Sequence, residues 1–454
     1  MNLFKDSFSG EEMIDHIKVY DLIDEVEAKM QSDLFISAGF EQIRSGKLST
    51  GRRILIIIIN FMTSLTVIRS LIAIIADPNS PWQYYCFNPL LAYGFLGRFM
   101  SAVFICGHGN MFVHALVLYW KEGQGKLTPI IDIRDMYRNL SNPTKEEVNK
   151  FTYFLKIMPY INLLGLAFIT GPLGMFRALG AVLTAYNYHG FMFLSYYFPV
   201  MATFLVVNQY CCNIYIYVHI LIAQSTTYFR IRLTRVEKDL QKACFESKKG
   251  IDYSKQHDFS LAQHINRALL DLQDTLDQVA QHNELLKHLL RDGLVGMGGV
   301  FVNFLVFMLG PNPWYFRIIP VGTVVFVGIV TGCSFGNASE LYVRILNMAK
   351  VLHSCQSVVQ NDLVSRTNKR ASVGDIYTSI LDPKKCMSFE EKAENLKCKF
   401  QILRMIHRVS SRYLRIGYTV GNGDSFSPSD SASFVSNILG TSLMFLNTKH
   451  AFIS

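Results

Sequence analysis

Two arginines and three histidines stand inside runs that are otherwise apolar enough for a bilayer, and a fourth histidine stands two residues before one. Ionisable groups at such positions need a reason, because hydrocarbon does not solvate charge. Arg69 and Arg98 each fall roughly 10 to 12 Å inside the outer end of their run at a helical rise of about 1.5 Å per residue. Two like charges at one depth call for water or carbonyl partners, or for side chains that snorkel outward. His108, His114, His189 and His219 have the chemistry to sense protons or bind a polar ligand; each is equally a packed, hydrogen-bonded core histidine. Asn208, Gln209 and Asn213 form a polar patch that either meets a ligand or holds helices together. Aromatics gather in two places: Tyr84, Tyr85, Tyr93, Phe95 and Phe99, and then Tyr186, Tyr188, Phe191, Phe193, Tyr196 and Tyr197. A cavity of this composition suits an apolar ligand arriving from outside. The same residues fit an interfacial aromatic belt.

Catalytic patterns are missing. The spans carry no paired carboxylates, no metal-ligand spacing and no nucleophile elbow, so neither an enzyme nor a metal or cofactor site is expected. Of nine cysteines, only Cys86 falls in a segment expected outside, which leaves no outside disulfide. Cys106, Cys211, Cys212 and Cys333 lie in apolar runs and read as small apolar side chains.

These residues need spans to position them. Half of the 454 residues are hydrophobic and 17% are charged, and the mean hydropathy is +0.22. That composition predicts an all-α polytopic membrane protein. Apolar runs of suitable length cover 54–75, about 90–119, 151–176, 191–223, 293–310, 318 to beyond 333, and 432–447. PNPWYFR is expected to turn tightly between the fifth and sixth. Basic residues sort these seven runs by side. Arg52 and Arg53 precede the first run, and 76–89 holds no Lys or Arg. The next connection holds Lys121, Lys126, Arg134, Arg138, Lys145 and Lys150. Arg177 is the one basic residue of the third connection, whereas Arg230, Arg232 and Arg235 open the fourth. Arg317 stands alone in the fifth, and Arg344, Lys350, Arg404, Arg408, Arg412 and Arg415 fill the sixth. The alternation predicts a multi-pass cell-membrane protein with a cytoplasmic N-terminus and an outside C-terminus. MNLFKDSFSGEEMIDH is acidic and lacks the apolar core of a signal peptide. The net charge of +9 is then mostly topological, and nucleic-acid binding is not expected. The sequons at Asn139 and Asn337 fall on the cytoplasmic side and are expected to stay unglycosylated.

The chain divides accordingly into a cytoplasmic segment, 1–53; four spans with a ligand pocket, 54–223; a cytoplasmic amphipathic helix, 224–292; two spans, 293–350; a cytoplasmic loop and helix, 351–431; and a final span, 432–454. In the amphipathic helix Ile265, Leu269, Leu272, Leu276, Val279, Leu286 and Leu290 recur in steps of three and four, with Asn283 interrupting. Such a seam packs one helix along another. It closes either inside the chain or between subunits, where Leu269, Leu272, Leu276, Val279 and Leu286 would be the contacts. A second helical stretch, 396–417, carries Phe400, Leu403, Ile406 and Tyr413 on one face. GYTVGNGDSFSPSDS then breaks the helix with Gly421, Gly423 and Pro428.

The layout resembles the insect odorant and gustatory receptor superfamily and its gustatory-receptor-like relatives. The likeness is sharpest in KFQILRMIHRVSSRYLRIGYTVGNGDSFSPSDSASFVSNILGTSLMFLN, a helix, a Gly/Phe-containing break and a last span. Where many gustatory receptors carry Thr-Tyr and then Gln-Phe pairs, this chain has Gly440-Thr441-Ser442 and Leu446-Asn447. The resemblance implies a tetrameric, ligand-gated, non-selective cation channel for sensory transduction, a homotetramer or an assembly with related subunits in the lipid bilayer, its last spans surrounding the pore and its earlier spans holding a small-molecule ligand. The pocket residues would be Tyr93, Phe95, Phe99, Tyr186, Tyr188, Phe193, Tyr196 and Tyr197. The pore and gate would be Asn437, Ile438, Gly440, Thr441, Ser442, Leu443 and Asn447, with polar side chains facing water and apolar ones narrowing the conduit. Close packing through small residues explains the same pattern. A secondary transporter of a small molecule is the alternative function, although the chain carries neither an inverted repeat nor matched broken helices.

Overall fold

The computed structural model describes residues 16–32, 50–123, 133–248, 261–309, 314–368 and 389–410, together with Ser433 and Ser436. All regular structure among them is helical. In chain order the elements are α1 (His16–Ser32), α2 (Thr50–Ile75), α3 (Pro81–Tyr85), a 3-10 turn at Leu91–Tyr93, α4 (Phe95–Gly123), α5 (Ile133–Asn139), α6 (Lys145–Gly165), α7 (Gly171–Thr184), α8 (Met192–Lys248), α9 (Leu261–Leu309), α10 (Trp314–Asn368) and α11 (Phe389–Ser410). Three stretches among the described residues are long and apolar enough to cross a membrane: Ile57–Ile75, Lys145–His189 and Met192–Glu246.

Local chemistry sets the ends of α3 and α6. Ser80 caps α3 by accepting from the Trp82 amide, and Pro81 supplies a first-turn φ at no cost in hydrogen bonds. Thr144 caps α6 reciprocally: its hydroxyl accepts from the Glu147 amide at 3.3 Å, and its own amide donates to Glu147 Oε2 at 2.8 Å. The span expected at 151–176 is longer than the sequence suggested. Gly171 and Pro172 do not end it, because a π turn at Leu166–Thr170 absorbs the proline and hands the chain to α7. A second π turn, Ala185–His189, closes the element. There Gly190, at φ +73, donates its amide to the Ala185 carbonyl at 2.7 Å and lets the chain reverse into α8.

Other boundaries moved for a related reason: apolar runs mark where a helix is greasy, not where it ends. The 191–223 run is the first part of α8, and the 293–310 run is the last part of α9. Trp314, expected within a turn, already begins α10. α1, which the sequence reading passed over, packs on α5 and α6, and Arg134 of α5 pairs with Asp24 of α1 at 3.5 Å. The GYTVGNGDSFSPSDS break and the last span lie outside the described residues, apart from Ser433 and Ser436.

The chain forms two compact units. The first comprises Met1–Ser225, His288–Phe335 and Ser431–Ser454; α2 packs along α4 within it. The second comprises Thr226–Lys287 and Gly336–Asp430. Its core is drawn from α8 (Leu233, Val236, Leu240), α9, α10 (Leu341, Ile345, Leu352) and α11 (Ile402, Met405, Val409). The α9 seam residues Leu269, Leu272, Leu276, Val279 and Leu286 are all buried in the single chain. The heptad-like pattern therefore has its partners inside the subunit, and the intersubunit alternative for these five side chains loses its surface.

The basic residues read as topological charges have a second task in this unit. Arg232 pairs with Asp271, with Asp274 at 3.0 Å and with Gln278 at 3.1 Å. Arg230 bonds Glu340 and, at 2.9 Å, Asn337. Arg408 meets Asp277 at 2.5 Å, and Arg344 reaches Thr234 at 3.1 Å. The Cys244 and Cys355 sulfurs are 2.9 Å apart; Cys398 is buried as well, and burial followed by the Cys244 charge pushes its thiol up to about 12.

Candidate functional site

The candidate site lies in the first unit, where α4, α7 and α8 bring together side chains spaced to share a face. Phe104 and His108 are four apart on α4, and Phe204 and Asn208 are four apart on α8. Arg177 follows Thr170, the last residue of the first π turn, by seven positions. Close approach of the helices is built in. A β-carbon on Gly174 would meet Leu205 Cδ2 at 2.8 Å, and one on Gly180 would meet the Pro89 carbonyl oxygen at 2.5 Å.

Two layers result. The inner one is polar: His108 Nε2 and Asn208 Oδ1 are 3.2 Å apart, Asn208 Nδ2 donates to Thr170 Oγ1 at 3.0 Å, Thr170 donates to Gln209 Oε1 at 3.0 Å, and Gln209 Nε2 donates to Asn213 Oδ1 at 2.8 Å. The patch Asn208, Gln209 and Asn213 thus joins helices through Thr170 and His108, as buried polar groups must.

Beside it sits Arg177, only 7% exposed. Its guanidinium carbon lies 3.9 Å from the Phe204 ring centroid and 5.0 Å from that of Phe104. The Tyr197 hydroxyl is within its hydrogen-bonding reach, and the other ionisable groups described nearby are Arg69 and His108. Nε and Nη1 are buried without a hydrogen-bond partner among the described residues. A cation–π contact gives about 2 kcal/mol when desolvated, whereas burying a guanidinium costs several kcal/mol. The rings offset part of that cost and leave two donors unused.

The outer layer is aromatic. Phe193, fully buried, stacks on Tyr197 with centroids 6.0 Å apart, and Tyr84, Phe87 and His189 pack against Phe193. Ala181 and Ala185 floor this cluster.

Of the pocket residues expected from sequence, Phe193 and Tyr197 meet here. Tyr93 packs elsewhere, stacked on Phe176 at 4.7 Å and donating to the Phe176 carbonyl at 3.2 Å. Phe99 is half-buried. Tyr186, Tyr188 and Tyr196 instead project to the outer surface, Tyr186 being 76% exposed; the belt explanation suits them. The side chains of Phe95 and His114 lie outside the described residues. So do all the expected pore positions, Asn437, Ile438, Gly440, Thr441, Ser442, Leu443 and Asn447. Arg98 is exposed and donates to the Ala76 carbonyl at 3.4 Å, whereas His219 is a packed residue edge-on to Tyr215 at 4.4 Å.

The sequence reading missed Arg177 as a site residue and set it in an outside connection, because the third apolar run was ended at Phe176. The apolar stretch Ala178–Thr184 beyond it, rich in small residues, was the available signal that the helix resumes. Phe104 and Phe204 were likewise visible only as residues four positions from His108 and Asn208.

Long helices, three of them among the described residues apolar enough to cross a membrane, define an all-α fold. No family model and no curated protein sequence matches the chain. Among solved structures it is similar to the insect olfactory receptor OR5 from Machilis hrabei, determined in complex with eugenol. The match has a TM-score of 0.60 at 9% identity and covers 95% of this chain and all of that one. At that identity the likeness establishes the fold.

Proposed function

We propose that this chain is a subunit of a chemoreceptor-like, ligand-gated, non-selective cation channel, a gustatory-receptor-like member of the insect chemoreceptor superfamily. The observation that carries the reading is the fold shared with an olfactory receptor along 95% of the chain. In this reading α2, α4, the composite of α6 and α7, α8, α9 and α10 supply six spans and 432–447 the seventh. The N-terminus is cytoplasmic and the C-terminus outside. Four subunits place their last spans around a pore lined by Asn437, Gly440, Thr441, Ser442 and Asn447, with Ile438 and Leu443 narrowing it by dewetting. The eugenol bound to the similar receptor supports a small organic ligand for this chain. The two-layered site between α4, α7 and α8 is where we place it.

Recording from purified protein in planar bilayers tests the reading. Unitary current steps carried by both sodium and potassium are expected. Saturable small-molecule uptake with no current steps would replace the channel with the transporter alternative.

A further inference from the structure

We propose that Arg177 anchors a ligand oxyanion, so that the site between α4, α7 and α8 takes a small aromatic carboxylate rather than a neutral odorant. This deepens the receptor reading by naming its ligand class, and rests on that reading only for the step from binding to gating.

Three observations carry it. Arg177 is more than nine-tenths buried, and its Nε and Nη1 have no hydrogen-bond partner among the described residues. Nε lies on the side edge of the planar guanidinium and Nη1 at its end, so each edge keeps an N–H free for an oxyanion oxygen. Next, among the described residues the ionisable groups acting on it are Arg69, His108 and Tyr197, and none of these is a carboxylate. A buried cation in such company is completed by an anion. Finally, its walls are flat: Phe204 and Phe104 lie against the guanidinium, and Tyr197 leads to the Phe193 stack. Rings of this kind pack best against a second ring, so the body attached to the oxyanion is aromatic. A membrane fatty acid offers the same carboxylate on an alkyl chain, and the test separates the two sources.

The test uses the full chain in phosphatidylcholine nanodiscs at neutral pH, titrated with benzoate, benzyl alcohol and laurate. Binding is followed by ligand-observed NMR and by thermal stabilisation of the protein. Benzoate is expected to bind about tenfold or more tightly than benzyl alcohol, its neutral counterpart, because charge-assisted hydrogen bonds separate the two. Arg177→Gln is expected to weaken benzoate about tenfold to hundredfold and to leave benzyl alcohol unchanged. Should that variant fail to fold, the benzoate and benzyl alcohol comparison on the wild type still decides. Equal affinity for those two, or undiminished benzoate binding by folded Arg177→Gln, would overturn the proposal. Laurate binding through Arg177 in place of benzoate would overturn the aromatic half by assigning the oxyanion to the bilayer. Benzoate binding without any evoked current would uphold the site and count against the receptor reading alone.

Discussion

The guanidinium of Arg177 lies over the ring of Phe204, 3.9 Å from its centroid, on a helix that the sequence reading ended at Phe176. This contact ties α7 to α8 with a force that depends on charge as well as on packing. Phe204→Leu is expected to destabilise the purified protein by about 2 kcal/mol. In an Arg177→Gln background the same substitution should cost about 1 kcal/mol less, a coupling that a double-mutant cycle of thermal stabilities reads directly.

Gly180 offers a steric test of the same helix pairing. A β-carbon there meets a backbone oxygen, that of Pro89, at 2.5 Å and the Tyr93 ring at 2.8 Å. Backbone cannot swing aside, so Gly180→Ala is expected to cost about 1–3 kcal/mol and to lower the yield of folded protein. Gly109→Ala, with no described atom within 4 Å of its β-carbon, should be tolerated; size-exclusion profiles of the two variants make the comparison.

His282 makes the second unit sensitive to acid. The ring is buried edge-on to Phe229 at 4.9 Å, and burial lowers its pKa from 6.5 to about 4. A depressed histidine binds fewer protons folded than unfolded, so stability falls as pH drops from about 6.5 towards 4 and levels off below. The expected loss is a few kcal/mol at most. Thermal melts across that range should flatten in His282→Gln.

Arg232 tests the ionic contacts of this unit. Its side chain is 11% exposed and serves Asp271, Asp274 and Gln278 on α9. Arg232→Gln leaves two carboxylates without their cation, and a loss of about 2–3 kcal/mol is expected, between the values for exposed and fully buried pairs. Asp271→Asn keeps Asp274 in place and should cost less than half as much in the same denaturation assay.

Periodicity and composition carried most of the helical architecture. The α9 steps of three and four named Leu269, Leu272, Leu276, Val279 and Leu286 as one face, and that face is buried. What periodicity does not specify is which partner buries a face, so the intersubunit and internal alternatives looked alike. The site was half legible. Phe193, Tyr197, His108 and Asn208 stood out by type, but their meeting depends on a π turn at 166–170, for which Gly171-Pro172 is an ambiguous signal. Single-residue chemistry misled for the tyrosines: Tyr186 and Tyr188 share composition with Tyr197, and only the second π turn decides which face outward.

The sidedness of the two termini tests the inverted seven-span channel most directly. An epitope placed after Ser454 and another before Met1 would be labelled by antibody on intact and on permeabilised cells. The account predicts labelling of the C-terminal epitope on intact cells and of the N-terminal one only after permeabilisation. If both are reached only after permeabilisation, the 432–447 run does not cross the membrane, and the pore assigned to it is contradicted.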